Sequence, residues 1–159
     1  MSHGDAEMNT NAVETEEKQL TAAHGRLPAR PVIGIGTDII ECDRIDQMIE
    51  KHGETFLHRV YTKEEIEYCQ GRKASNQHYA GRWAAKEAAL KALGTGWAHG
   101  IQWTDVEVVN QQGGRPIIVL AGKAKEIGDS QGIDEMMISI SHCKHYATAY
   151  ATAVGAQPL

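Results

Sequence analysis

The sequence predicts an α+β fold, with helices packed against an antiparallel β-sheet. Three features carry that prediction. The run Val32-Ile33-Gly34-Ile35-Gly36-Thr37-Asp38-Ile39-Ile40 is β-branched and nearly all apolar, and helical sequence follows it. A segment rich in alanine, over 75–93, has the composition of one long helix. The remainder reads strand, turn, strand, helix and then two strands in close succession, an order that packs helices against antiparallel strands.

Each element follows from local chemistry. Residues 1–30 hold Gly, Asn, Thr, Glu and Ala, carry little apolar content, and lead into Pro31 through Leu27-Pro28-Ala29-Arg30. Such a stretch buries too little surface to offset its ordering entropy, so a disordered tail is expected, with a transient helix over 13–23. One domain is expected over 31–159. Its opening run reads as a buried strand. Sequence over 43–51 is helical or turn-like. Thr62-Lys63-Glu64-Glu65 has the form of a capping box, which predicts a short helix over 63–70 with Gly71 as its stop. The alanine-rich helix starts at Ser75 or Asn76 and runs to Leu93, with Gly94 as terminator. A strand over 103–110, a turn over 111–115 and a strand over 116–120 come next. A helix over 121–130 and an antiparallel pair, 136–141 and 146–154, finish the domain. The last strand alternates small and larger residues, as a sheet packed on one face does.

Composition bounds the function. With 42% hydrophobic and 23% charged residues the chain is ordinary for a globular protein, and its length suits one core. No apolar run approaches the roughly 18 residues that span a bilayer, and the first thirty residues lack a secretory signal's apolar stretch. A cytoplasmic protein with no membrane partner is expected. The formal net charge of -5 gives no broad footprint for nucleic acid. Arg44, Lys51, Arg59, Lys63, Arg72 and Lys73 nevertheless fall close together. They read either as a solvated helical surface or as a face for a small acidic partner. Cys42, Cys69 and Cys143 include no CxxC pair and are expected to be reduced, buried spacers.

Two segments carry the chemistry: the 34–38 run of the first strand, and the long helix with its Gly94-Thr95-Gly96 exit. Trp83, Glu87 and Lys91 are spaced i, i+4, i+8 and so share one helix face. Glu87 and Lys91 alone would read as a surface ion pair worth a few tenths of a kcal/mol. The helix is so rich in alanine, however, that much of it should be buried, and a buried Glu needs a partner. Asp38 interrupts an otherwise apolar strand and poses the same problem. Two acids on buried elements suggest a shared cation. Magnesium suits them, since it takes one or two carboxylates and completes its shell with water and phosphate.

Three superficial matches fail. Gly34-x-Gly36 begins like a dinucleotide fingerprint, but position 39 is Ile and the glycines lie inside the strand. Ser141-His142-Cys143-Lys144 has a Ser-x-x-Lys form without the other elements of a penicillin-binding site. His142-x-x-His145 lacks a third zinc ligand nearby.

Gly34-Ile35-Gly36-Thr37-Asp38-Ile39-Ile40-Glu41, followed by Arg44-Ile45, closely resembles the opening of bacterial holo-acyl-carrier-protein synthases. The resemblance continues through Arg59-Val60-Tyr61-Thr62-Lys63-Glu64-Glu65 and is strongest over 81–96. It extends through Gly113-Gly114-Arg115-Pro116 to Ser139-Ile140-Ser141-His142 and Tyr146-Ala147. It covers about residues 32–154, with the motifs in order. The resemblance implies a 4'-phosphopantetheinyl transferase-like fold and a magnesium-dependent transfer. The phosphopantetheine of coenzyme A would move to a serine of an apo acyl carrier protein, releasing adenosine 3',5'-bisphosphate.

The same resemblance implies roles for single residues. Asp38 and Glu87 would hold Mg2+, and Lys91 would contact the coenzyme A diphosphate; these three are the catalytic set. Arg82 and His142 would lie near the 3'-phosphate and adenosine, while Gly94, Gly96, Gly114 and Pro116 would shape the nucleotide cleft. Arg44 would dock the carrier protein, and the assembly would be a homotrimer with clefts between protomers. Plain structural alternatives stand beside these: Arg82 as a snorkelling side chain, His142 as a core histidine. The serine's base stays open between Glu87 and a water. The carrier of fatty acid or of polyketide synthesis would fit equally. A rival reading is a non-catalytic coenzyme A or nucleotide-binding regulatory module, which would not need Asp38, Glu87 and Lys91 together.

Overall fold

A computed structural model describes residues 30–96 and 98–157, and Pro31–Ala156 forms one compact unit. The expected disordered tail falls on residues outside this range, Arg30 apart. The elements are β1 (Val32–Glu41), α1 (Cys42–Val60), α2 (Lys63–Gln70), α3 (Ser75–Ala92), β2 (Val106–Asn110), β3 (Pro116–Leu120), α4 (Gly122–Ser130), β4 (Ile133–His142) and β5 (Tyr146–Gly155). A 3-10 turn, Trp103–Asp105, precedes β2 where the sequence predicts the start of the strand itself.

The strands form two antiparallel sheets. One has the order β1-β5-β4 and the other pairs β2 with β3. The helices supply the second layer, as an α+β fold requires. Helix α3 lies on β1 and β5, and small residues of both layers are buried in the core: Ala84, Ala85, Ala88 and Ala89 of the helix and Ala147, Ala149, Ala151 and Ala153 of β5. Gly34 and Gly36 complete this close approach. A Cβ on Gly34 would collide with the Ala92 carbonyl, and one on Gly36 with the Ala88 carbonyl. These glycines therefore serve helix–strand contact, which leaves the next inward residue of β1, Asp38, beside the helix.

Local signals define the helix ends. Thr62 and Glu65 form the predicted capping box of α2, with Glu65 N donating to Thr62 Oγ1 and Thr62 N to Glu65 Oε2. Helix α1 runs to Val60, well past the expected end at 51, by kinking at Gly53 (φ 55°, ψ −139°). Phe56, Leu57 and Val60 are buried beyond that kink, and their burial sustains the second half.

The expectation for β1 needs correction. It is not an interior strand, because Val32, Ile35 and Ile39 are 63%, 59% and 67% exposed. One face packs under α3 and the other opens outward. Cys42 and Cys69 are buried as expected, but Cys143 is exposed.

Candidate functional site

Most of the sequence-predicted residues gather at two places along α3, with Gly94, Gly96 and Arg44 apart from them. At the C-terminal half of α3, Lys91 Nζ donates to Asp38 Oδ1 at 2.9 Å and to the Thr37 carbonyl at 2.9 Å. The Asp38 side chain is 16% exposed and that of Lys91 49%. A half-buried acid beside the core thus carries a cation already. Glu87, one turn before Lys91, is partly buried on the same helix. Thr148 Oγ1 donates to the Asp38 carbonyl at 2.8 Å and ties β5 to this point. Among the described residues no group of three or more His, Cys, Asp or Glu is placed to hold a metal ion. A two-carboxylate set of hard oxygens fits magnesium, which keeps most of its shell as water or phosphate, and fits zinc poorly.

At the N-terminal half of α3 lies a cavity of about 170 Å3. Its wall includes Arg82, His142, Gly114 and Pro116, so the fold brings together four residues far apart in sequence. Among the described residues no acid lines it. Arg82 is only 5% exposed, so it does not snorkel. Its Nη2 donates to Asn110 Oδ1 at 2.7 Å, its guanidinium lies 3.8 Å over the Tyr68 ring, and its Nε has no acceptor. Arg72 covers Tyr68 at 4.3 Å. Among the described residues the Arg82 guanidinium makes no ion pair with a carboxylate, although Glu64 and Glu107 line a second cavity that it also borders. On the His142 side its charge faces no acid, and it favours an anion there.

His142 ends β4 as an exposed residue, which removes the core-histidine alternative. Its ring meets His78 edge-on at 5.3 Å. The His78 imidazole is held below its usual pKa of 6.5 by burial first, then by His142, Arg82 and Arg72. Sequence reasoning missed His78, Tyr68 and Asn110. His78 had a usable signal, since it stands four residues before Arg82 on the same helix face. Asn110 had none: in the sequence it reads only as the last residue of a strand.

The remaining predicted positions lie apart from this cavity. Gly94 (φ 72°) and Gly96 (φ 53°) follow α3 in left-handed backbone and do not line it. Arg44 is solvent-facing near the start of α1, and the other five basic residues of that stretch are exposed as well.

A further buried pair also escaped the sequence. Lys86 and Glu65 are both fully enclosed, with Nζ 2.7 Å from Oε2. Lys86 spends its other two protons on the carbonyls of Trp103 (3.1 Å) and Val106 (2.5 Å), and Glu65 Oε1 accepts from Val108 N at 3.0 Å. The two side chains take the place of a neighbouring strand along β2. Burial pulls the Lys86 amine below its ordinary pKa, against the opposing pull of Glu65.

Known proteins share this arrangement of sequence and fold. The family model described as the 4'-phosphopantetheinyl transferase superfamily matches residues 34–151. A holo-[acyl-carrier-protein] synthase of Protochlamydia amoebophila is 50% identical over 119 residues, covering 75% of this chain and 95% of that protein. The structure of holo-ACP-synthase from Plasmodium yoelii superposes with a TM-score of 0.69 at 33% identity, covering 80% of this chain and 98% of that one. A holo-(acyl-carrier-protein) synthase from Bacillus anthracis, in complex with CoA (3',5'-ADP), gives 0.66 at 35% identity, covering 80% and 100%. Over the greater part of its length, the chain belongs to the 4'-phosphopantetheinyl transferase superfamily.

Proposed function

We propose that this protein transfers the 4'-phosphopantetheine group of coenzyme A to a serine of an apo acyl carrier protein and releases adenosine 3',5'-bisphosphate. The observation that carries the reading is Arg82, a buried cation with no carboxylate ion pair among the described residues, set in the wall of a cavity that no described acid lines. Family membership and the coenzyme A-bound relative support it.

In the reaction the serine oxygen attacks the β-phosphorus, and the bond from that phosphorus to the bridging diphosphate oxygen breaks. No protein nucleophile is required; positioning and charge neutralisation supply the acceleration. Arg82, with His142 beside it, holds the 3'-phosphate end. Gly114 and Pro116 shape the wall around it, and Gly94 and Gly96 shape the exit of α3. Asp38 and Glu87 would hold Mg2+, which when bound draws charge from the diphosphate. Lys91 supplies a second positive charge beside these acids, available to the phosphoryl oxygens as negative charge develops. Arg44, with the exposed basic residues near it, suits the acidic surface of a carrier protein from fatty acid or polyketide synthesis.

The working assembly in this reading is a cytoplasmic homotrimer. Its support is the outward face of the β1-β5-β4 sheet, where Ile35, Ile39, Met137, Tyr146 and Tyr150 stand exposed. Among the described residues no helix is long and apolar enough to cross a membrane.

The test is intact mass spectrometry of an apo acyl carrier protein incubated with this protein, coenzyme A and magnesium. The expected result is a gain of one phosphopantetheine group, abolished by chelation. Coenzyme A binding without any mass gain on a competent carrier would instead favour the regulatory binding module.

A further inference from the structure

Asn110 stands where two walls of the Arg82 cavity meet. It is the last residue of β2, and its Nδ2 donates to the Gly114 carbonyl at 3.0 Å, across the turn that carries Gly114 and Pro116. Its Oδ1 accepts from Arg82 Nη2 at 2.7 Å. The orientation of the amide is decided by chemistry, because a guanidinium only donates and a carbonyl only accepts. One side chain therefore locks the turn to helix α3 and fixes the plane of the guanidinium.

The residue type matters as much as the bonds. Arg82 is 5% exposed and its guanidinium lies over the Tyr68 ring at 3.8 Å, so its position is set by Tyr68 on one side and Asn110 on another. An aspartate at position 110 could accept the same bond, yet it would pair with the guanidinium and cancel the charge internally. An apolar residue would preserve the charge and lose the orientation. A neutral amide orients the cation without neutralising it, and the full charge stays available to a ligand. The orphaned Nε shows that donor capacity remains.

We propose that Asn110 is a positioning residue that sets the preference of this site for a ligand bearing a phosphate monoester, here coenzyme A over the same molecule lacking its 3'-phosphate. The inference rests on the coenzyme A reading of the cavity. Asn110 acts through Arg82 and through the Gly114 turn.

The experiment is calorimetric titration of the full-length protein with coenzyme A and with dephospho-coenzyme A. It compares the wild type, Arg82→Ala, Asn110→Ala and Asn110→Asp, each first checked for a native thermal transition. The readout is the ratio of the two dissociation constants, which a general loss of stability does not move. The wild type favours coenzyme A, and Arg82→Ala collapses that preference. Asn110→Ala lowers it about tenfold, as expected for loss of a charge-assisted hydrogen bond. Asn110→Asp, which keeps the shape, lowers it at least as far. A wild-type ratio in Arg82→Ala would overturn the coenzyme A reading of the cavity, and the proposal with it. A collapsed ratio in Arg82→Ala with wild-type ratios in both Asn110 variants would overturn the proposal alone.

Discussion

The charge state of His78 links one imidazole to the ligand. Its pKa lies below 6.5 because burial first, and then His142, Arg82 and Arg72 beside it, oppose protonation. The sign follows from linkage. A depressed histidine binds its proton more readily in the unfolded chain, so its contribution to stability is lost as pH falls below 6.5. An anion in the cavity reverses part of the local repulsion and raises His78. Coenzyme A binding near pH 6 should therefore take up a fraction of a proton and tighten as pH falls toward the depressed value. Titration in two buffers of different ionisation enthalpy would show this as a buffer-dependent heat. The buffer dependence should shrink in His78→Gln, and an unchanged dependence there would assign the proton elsewhere.

At the scale of elements, the crossing of α3 over β1 depends on atoms that are absent. A methyl on Gly36 meets backbone, which cannot swing away as a side chain can. Gly36→Ala should cost at least about 1–3 kcal/mol, the usual range for overpacking. A urea melt would read this as a lower midpoint, and a wild-type midpoint would show that α3 can lift off the strand. The Lys86–Glu65 pair holds α2, α3 and β2 together in a different way. Removing one partner strands the other in the core, so Lys86→Met and Glu65→Gln should each cost about 3–5 kcal/mol. The double variant should cost clearly less than the sum of the two. Additive losses in a double-mutant cycle would show that the pair does not couple.

The sheet β1-β5-β4 is lopsided when the whole molecule is considered. Its inner face is small and filled by α3, while the outer face lines up Ile35, Thr152 and Met137 in one row and Thr37, Tyr150 and Ser139 in the next. An apolar face of this kind is stable in water when covered, and a symmetric assembly of identical chains covers it at no cost in new sequence. Light scattering should give the mass of three chains for the wild type. Ile39→Arg, which places a charge on a 67% exposed position of that face, should shift the mass toward one chain. Coenzyme A turnover should fall with it, because the proposed clefts lie between protomers.

Much of this was legible in one dimension. The capping box at Thr62, the stop at Gly71, the run of α3 to Leu93 and the strand pair closing the chain all arise from neighbours in sequence, and all appear in the structure. The motif residues Asp38, Glu87, Lys91, Arg82 and His142 could likewise be named in advance, because their residue types conflict with their apolar surroundings or match a known pattern. Only the tertiary structure decided who meets whom. Lys91 sits on Asp38 because Gly34 and Gly36 draw α3 onto β1, a contact across more than fifty residues. Glu65 was legible only as a capping-box residue and Lys86 carried no signal of its own, yet burial makes the two a substitute strand for β2. Asn110 read only as the last residue of a strand, and it became the acceptor for Arg82 once β2 was laid beside α3. Local chemistry specifies elements through bonds a few residues apart. Partners across the core are chosen by packing, and their proximity is a property of the folded chain.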